Sequence, residues 1–137
     1  MSQFMLLVYE EELDPAGQAE RDRDLPLLAE LHRSLRDAGL LRAVRALHSV
    51  ESATSVRVRE GQPELTDGPF AVTKEVLAGF YLLECADLDE AIKQAERLPQ
   101  ARWGTIEVRP ARSVDDWLQA ASAAGVELSD EDLSNLA

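Results

Sequence analysis

Thr73, Lys74 and Glu75 stand in a row, two residues after Asp67-Gly68-Pro69-Phe70, and Gly79 follows shortly after. A turn dipeptide and a proline restrict the backbone on one side, so three polar groups sit in a loop held at both ends. Loops fixed on a scaffold are where binding residues concentrate. Here Lys74 and Glu75 are candidates to move a proton, Thr73 to bind a substrate, and Asp67 to support the turn from which they project. A structural reading competes: Asp67 and Gly68 turn the chain, Pro69 fixes φ, Phe70 anchors the loop in the core, and Lys74 with Glu75 is a surface ion pair.

A second set of candidates lies on strand-like segments. His48, Tyr81, Glu107 and Arg109 would point into a shared cavity if two sheets faced each other. A histidine and a carboxylate there can transfer a proton, and an arginine can clamp an anionic group through two parallel hydrogen bonds. The alternative is a satisfied edge histidine and a solvated strand face. Two histidines sixteen residues apart and a single cysteine make no metal-ligand pattern. No phosphate-binding glycine loop or nucleophile elbow is present, so no cofactor is expected. Cys85 reads as a small buried hydrophobe, and Trp103 and Trp117 as core or interface residues.

The elements that must position these groups follow from apolar spacing. Phe4 to Tyr9 is continuously apolar and too short for a helix, which predicts a strand buried on both faces. Asp24 and Pro26 start a helix carrying Leu27, Leu28, Leu31, Leu35 and Ala38, stopped by Gly39. Leu41 to His48 is ambiguous. Thr54, Val56 and Val58 alternate with Ser55, Arg57 and Arg59 before a turn at Glu60-Gly61, predicting a hairpin. Ala78 to Glu84 is another strand, and Asp87 and Glu90 cap a helix with Leu88, Ala91, Ile92, Ala95 and Leu98, ended by Pro99. Ile106 and Val108 share one face of a last strand. Ser113 and Asp116 cap a further helix with Val114, Trp117, Leu118 and Ala121, ended by Gly125, and Ser129 to Leu136 adds a turn or two.

This order is the split βαβ plan of α+β ferredoxin-like domains, with an extra hairpin and a C-terminal helix. Residues 1–112 form the domain and 113–137 an acidic helical extension of it. Two helices cover one sheet face, so strands apolar on both sides need a second cover. A second copy packed sheet to sheet supplies it, with the C-terminal helix as the rival.

The 137 residues carry a formal charge of −12, from 26 acidic against 14 basic side chains. That field repels a phosphate backbone or an anionic membrane, so neither nucleic acid nor membrane is an expected partner. Glu10 to Asp24 holds seven carboxylates, and Ser113 to Ala137 holds six with no Lys or Arg. One cysteine and no signal-like start fit the cytoplasm.

In order along the chain, "MLLVY", "DAGLL", "TDGPFAVTKE", "GFYLLE", "DLDEAI" and "IEVRP" resemble the YCII-related proteins, in particular the subgroup named for its DGPF motif. The resemblance runs from about Met1 to Arg112. It implies a ferredoxin-like fold forming a dimeric α/β barrel, in small bacterial proteins often encoded beside or fused to extracytoplasmic-function sigma factors. Two positions depart from it. Val72 stands where the subgroup has a carboxylate, and Leu28 stands where related proteins carry a histidine proposed as catalytic, the nearest being His32. The expectations are a homodimer binding a small anionic metabolite, as a lyase- or isomerase-type acid-base enzyme or as a non-catalytic sensing module. A plain interaction protein working through its acidic tail is the third reading.

Overall fold

The computed structural model describes residues 1–134. Its elements in chain order are β1 (Ser2–Glu10), α1 (Pro15–Asp22), α2 (Leu25–Asp37), β2 (Leu41–Ala46), β3 (Thr54–Arg59), β4 (Gln62–Asp67), β5 (Val76–Cys85), α3 (Leu88–Arg97), β6 (Thr105–Pro110), α4 (Val114–Ala123) and α5 (Asp130–Ser134). The architecture is mixed α+β. Four antiparallel strands form one sheet in the order β2-β5-β1-β6, and β3 with β4 forms a separate hairpin. The order is consistent with the ferredoxin-like plan expected from the sequence. Leu136, at the end of the expected last turn, lies outside the described residues.

Strand alternation divides the sheet into two unlike faces. Phe4, Leu6 and Val8 of β1 and Tyr81, Leu83 and Cys85 of β5 are buried together with Leu31 and Leu35 of α2 and Ala91 and Ala95 of α3. A fully buried leucine contributes roughly 1.5–3 kcal/mol relative to exposure, so these side chains dominate the stability. On the opposite face Met5 lies across from Leu82 and Leu7 from Phe80, all four half-buried. Every buried helix residue among those described belongs to the first face, so no helix covers the second.

Several expectations change in detail. The acidic stretch after β1 is a helix of its own, α1, with Pro15 in its first turn and the Asp14 side chain accepting a 2.8 Å bond from the Gly17 N–H. Asp24 begins α2 in helical geometry without a side-chain cap, because the chain is already turning out of α1. Of the expected stripe, Leu31 and Leu35 are buried, while Leu27 is exposed. The ambiguous Leu41 to His48 segment is strand up to Ala46. The Leu47 N–H continues the ladder by donating to the Ala78 carbonyl at 2.8 Å.

The hairpin turns at Glu60 and Gly61, with φ of 51° and 74°, where two left-handed residues match the twist of the flanking strands. Phe70 does not anchor its loop in the core: it is 80% exposed. The α4 capping box is complete, with the Ser113 hydroxyl accepting from the Asp116 N–H and the Asp116 carboxylate from the Ser113 N–H. Trp117 and Leu118 nonetheless remain 43% and 37% exposed, so within one chain the helix buries no residue against the body.

Gly79 carries the close approach of β2 to β5. A Cβ there would lie 2.5 Å from the Arg45 carbonyl oxygen, which belongs to the paired backbone and cannot move alone. Gly79→Ala should therefore destabilise the fold by roughly 1–3 kcal/mol. Denaturant unfolding reads this directly, and an unchanged midpoint would mean that β2 is not held at this spacing.

Candidate functional site

Backbone bonds at both ends build the loop after β4. The Gly68 N–H donates to the Ala53 carbonyl at 2.7 Å, and the Ser55 hydroxyl donates to the Gly68 carbonyl at 2.8 Å. Gly68 itself has φ of +94°, a conformation that glycine adopts without strain. At the far end the Thr73 hydroxyl donates to the Glu75 backbone carbonyl at 2.6 Å, and the Thr105 hydroxyl to the Glu75 carboxylate at 3.0 Å. A short 310 turn at Val50–Ser52 faces this loop. It is pinned by Glu12, whose carboxylate accepts from the Val50 N–H at 2.7 Å and the Ser49 hydroxyl at 3.1 Å.

Between loop and turn lies a cavity of about 630 Å³, in the range of small-molecule sites. His48, Thr73 and Glu75 line it, with Tyr9, Phe70 and Leu77 among the apolar walls. Tyr9 and Leu77 are a cross-strand pair at the end of the sheet. The lining carries one carboxylate, one imidazole and four hydroxyls, from Tyr9, Ser49, Ser52 and Thr73, and no Lys or Arg. Such a set can transfer a proton between an imidazole and a carboxylate, and can orient a ligand by hydrogen bonds, within mostly apolar walls.

The other sequence candidates lie elsewhere. Asp67 ends β4 and does not line the cavity. Lys74 is exposed, and no ion pair among the described residues includes it, so the expected Lys74–Glu75 pair does not form. Glu107 and Arg109 are exposed on the uncovered face of the edge strand β6, opposite Leu7 and Met5. Tyr81 does not share that face. It is 3% exposed on the helix side, because it falls in the same alternation phase as Leu83 and Cys85. His48 and Tyr81 are therefore not brought together with Glu107 and Arg109.

Tyr81 meets a residue that carried no role in the sequence reading. Its hydroxyl lies 2.7 Å from His32 Nε2, and the two rings make an edge contact with centroids 5.3 Å apart. The available signal was spacing: His32 follows Leu28 by one helical turn and precedes Leu35 by three residues, so it borders the buried stripe. Burial lowers the His32 pKa and so favours the neutral ring, in which the tautomer sets whether the phenol or Nε2 is the donor. Burial also raises the Tyr81 pKa, the adjacent Gln100 amide opposing this and the Glu10 carboxylate adding to it. Among the described residues no cluster of His, Cys, Asp and Glu is arranged to hold a metal, and no helix is long and apolar enough to cross a membrane.

The YCII-related domain family matches residues 2–115, most of the chain. An uncharacterized protein of Rhizobium meliloti (strain 1021) is 40% identical over 111 residues, covering 78% of this chain and 90% of that protein.

The neutral His32 makes a pH prediction. Its folded pKa is depressed below the unfolded value of about 6.5, so in the interval between them the unfolded chain binds the extra proton. Stability should be independent of His32 above about pH 6.5 and should fall as pH drops below it. Unfolding free energies measured between about pH 5.5 and 7.5 should show this slope, and His32→Phe should remove it. A wild-type slope retained in the variant would contradict a neutral His32.

Proposed function

The chain belongs to the YCII-related family, and from that premise we propose that it is a small-ligand-binding protein of the DGPF subgroup whose site is the cavity beneath the DGPF loop. The carrying observation is that His48 and the distant Thr73 to Glu75 segment line one cavity of about 630 Å³, with the DGPF loop as part of its wall. In the enzymatic form of this reading, His48 and Glu75 act as acid and base in a lyase- or isomerase-type reaction, and Thr73 orients the substrate. Glu75 is held by Thr105, which leaves its second carboxylate oxygen for a ligand. Lys74 and Asp67 act from outside the cavity wall, Asp67 by ending the strand that launches the loop.

The lining refines the ligand. A carboxylate without a basic partner disfavours a bare anion, and the apolar walls favour a compact apolar molecule with a hydrogen-bonding group. An anionic group would need Arg109, which lies on the uncovered sheet face. The mostly apolar lining also supports a second reading, a non-catalytic sensing module linked to sigma-factor transcription control. Binding without turnover would favour it.

The assembly we propose is a cytoplasmic homodimer closed into an α/β barrel. Met5, Leu7, Phe80 and Leu82 are the reason: their face has no helix over it, and the cavity residues Tyr9 and Leu77 continue it. A second copy laid on this face would also wall the cavity.

Two measurements test these readings. Benzamide titrated into 15N-labelled protein should shift the amides of His48, Ala71, Thr73, Glu75 and Val76 saturably, benzoate should bind more weakly, and Thr73→Val should weaken benzamide. Shifts confined to the Glu107 and Arg109 edge would move the site. Sedimentation should give twice the chain mass, and Leu7→Arg, which places a charge in the middle of the interface, should give a folded monomer. A wild-type monomer would contradict the barrel.

A further inference from the structure

The β3–β4 hairpin stands off its own chain. Every residue of β4 is exposed, and every residue of β3 except Ser55. Its register nevertheless sorts the two strands into unlike faces. Val56 lies across from Leu65 and Val58 from Pro63, which gathers the aliphatic side chains on one side, where Val56, Val58 and Leu65 are 63%, 60% and 71% exposed. Arg57 across from Glu64 and Ser55 across from Thr66 make up the other side. A two-stranded hairpin is marginal by itself in water and depends on packing one face against a further body.

The polar side is the one its own chain borders. There the Ser55 hydroxyl donates to the Gly68 carbonyl, and Pro69 and Phe70 lie beside Arg57, Glu64 and Thr66. The apolar side therefore points away from the loop to which the hairpin is joined. Strand addition at an edge would not cover it: Pro63 removes a donor from the free edge of β4, and edge pairing would leave Val56 and Leu65 as exposed as before. What fits is an apolar surface laid against that side.

A second copy of the chain supplies one, and the size of a stable contact calls for it. The uncovered sheet face is made by β1, β2, β5 and β6, of 9, 6, 10 and 6 residues, and only alternate residues face outward. That is fewer than the roughly 20–30 residues a side that a stable interface uses. The hairpin adjoins this face along the chain, since β4 runs through the DGPF loop into β5, and Leu77 of β5 and Phe70 of the loop line the same cavity. Strands of six residues span about 20 Å, far enough to reach past the end of one sheet onto a partner laid against it.

We propose that the hairpin is an exchanged arm, each protomer laying Val56, Val58 and Leu65 on the second copy beside the contact made by Met5, Leu7, Phe80 and Leu82. The arm rests on the sheet-to-sheet dimer proposed above and extends it, since that contact can form without the arms. Dimers mixed from 13C-labelled and unlabelled full-length chains test it through isotope-filtered NOEs. The methyl groups of Val56, Val58 and Leu65 should show contacts to the unlabelled chain. Val56→Asp combined with Leu65→Asp, both exposed changes within one chain, should keep the circular dichroism of the wild type and raise the dimer dissociation constant at least about tenfold. A dimer whose arm methyls contact only their own chain, or whose affinity the double variant leaves unchanged, would overturn the arm and leave the sheet-to-sheet contact standing. A wild-type monomer would overturn both.

Discussion

The antiparallel pairing of β1 with β5 is the constraint from which the rest of the molecule follows. Both strands are apolar on both faces, and their register puts Leu6 opposite Tyr81 and Phe4 opposite Leu83 on the side where α2 and α3 pack. The same register places Met5 opposite Leu82 and Leu7 opposite Phe80 on the side with no helix. Because side-chain direction alternates strictly, a slip of one residue would exchange the two sets, so burying the first face determines what the second presents. The edge strands inherit this division. On β6, Ile106 and Val108 pack against the core while Glu107 and Arg109 point away from it.

The pairing also sets where chemistry can occur. At its Tyr9 end the ladder is irregular, with Val8 opposite Gly79 and Tyr9 opposite Leu77. Beyond that irregularity the DGPF loop and the 310 turn close over the sheet end, and His48, Thr73 and Glu75 meet there. On the helix side the middle of the same strand pair brings Tyr81 under His32. One strand pair therefore positions two sets of polar groups: those of the mostly apolar cavity beyond its Tyr9 end, and the His32–Tyr81 pair at its middle.

Much of this was legible in the sequence, because strand and helix periods are local signals. The two central strands, the hairpin turn at Glu60-Gly61, the Asp87 cap and the Ser113–Asp116 box all follow from spacing within a few residues. What was not legible required knowing which face is which. By residue type Tyr81 groups with Glu107 and Arg109, yet its phase matches Leu83, and only the position of the helices decides that this phase is the buried one. A phenylalanine after a turn reads as an anchor, and nothing local shows that Phe70 stays exposed. His32 was visible as a helix residue, but its partner is 49 positions away. The convergence of His48 with Thr73 and Glu75 is the opposite case, in which residue type singled out the right groups and tertiary structure brought them together.

The central claim is that the DGPF loop is a binding wall rather than a structural turn. A crystal structure of the protein grown with benzamide tests it most directly. The account predicts the ligand between Tyr9, His48 and the Thr73 to Glu75 segment, with its amide bonded to Thr73 or Glu75 and the loop bonds at Gly68 unchanged. A cavity filled instead by Phe70 folding inward, with no ligand bound there, would show that the motif is a turn alone and would contradict the account.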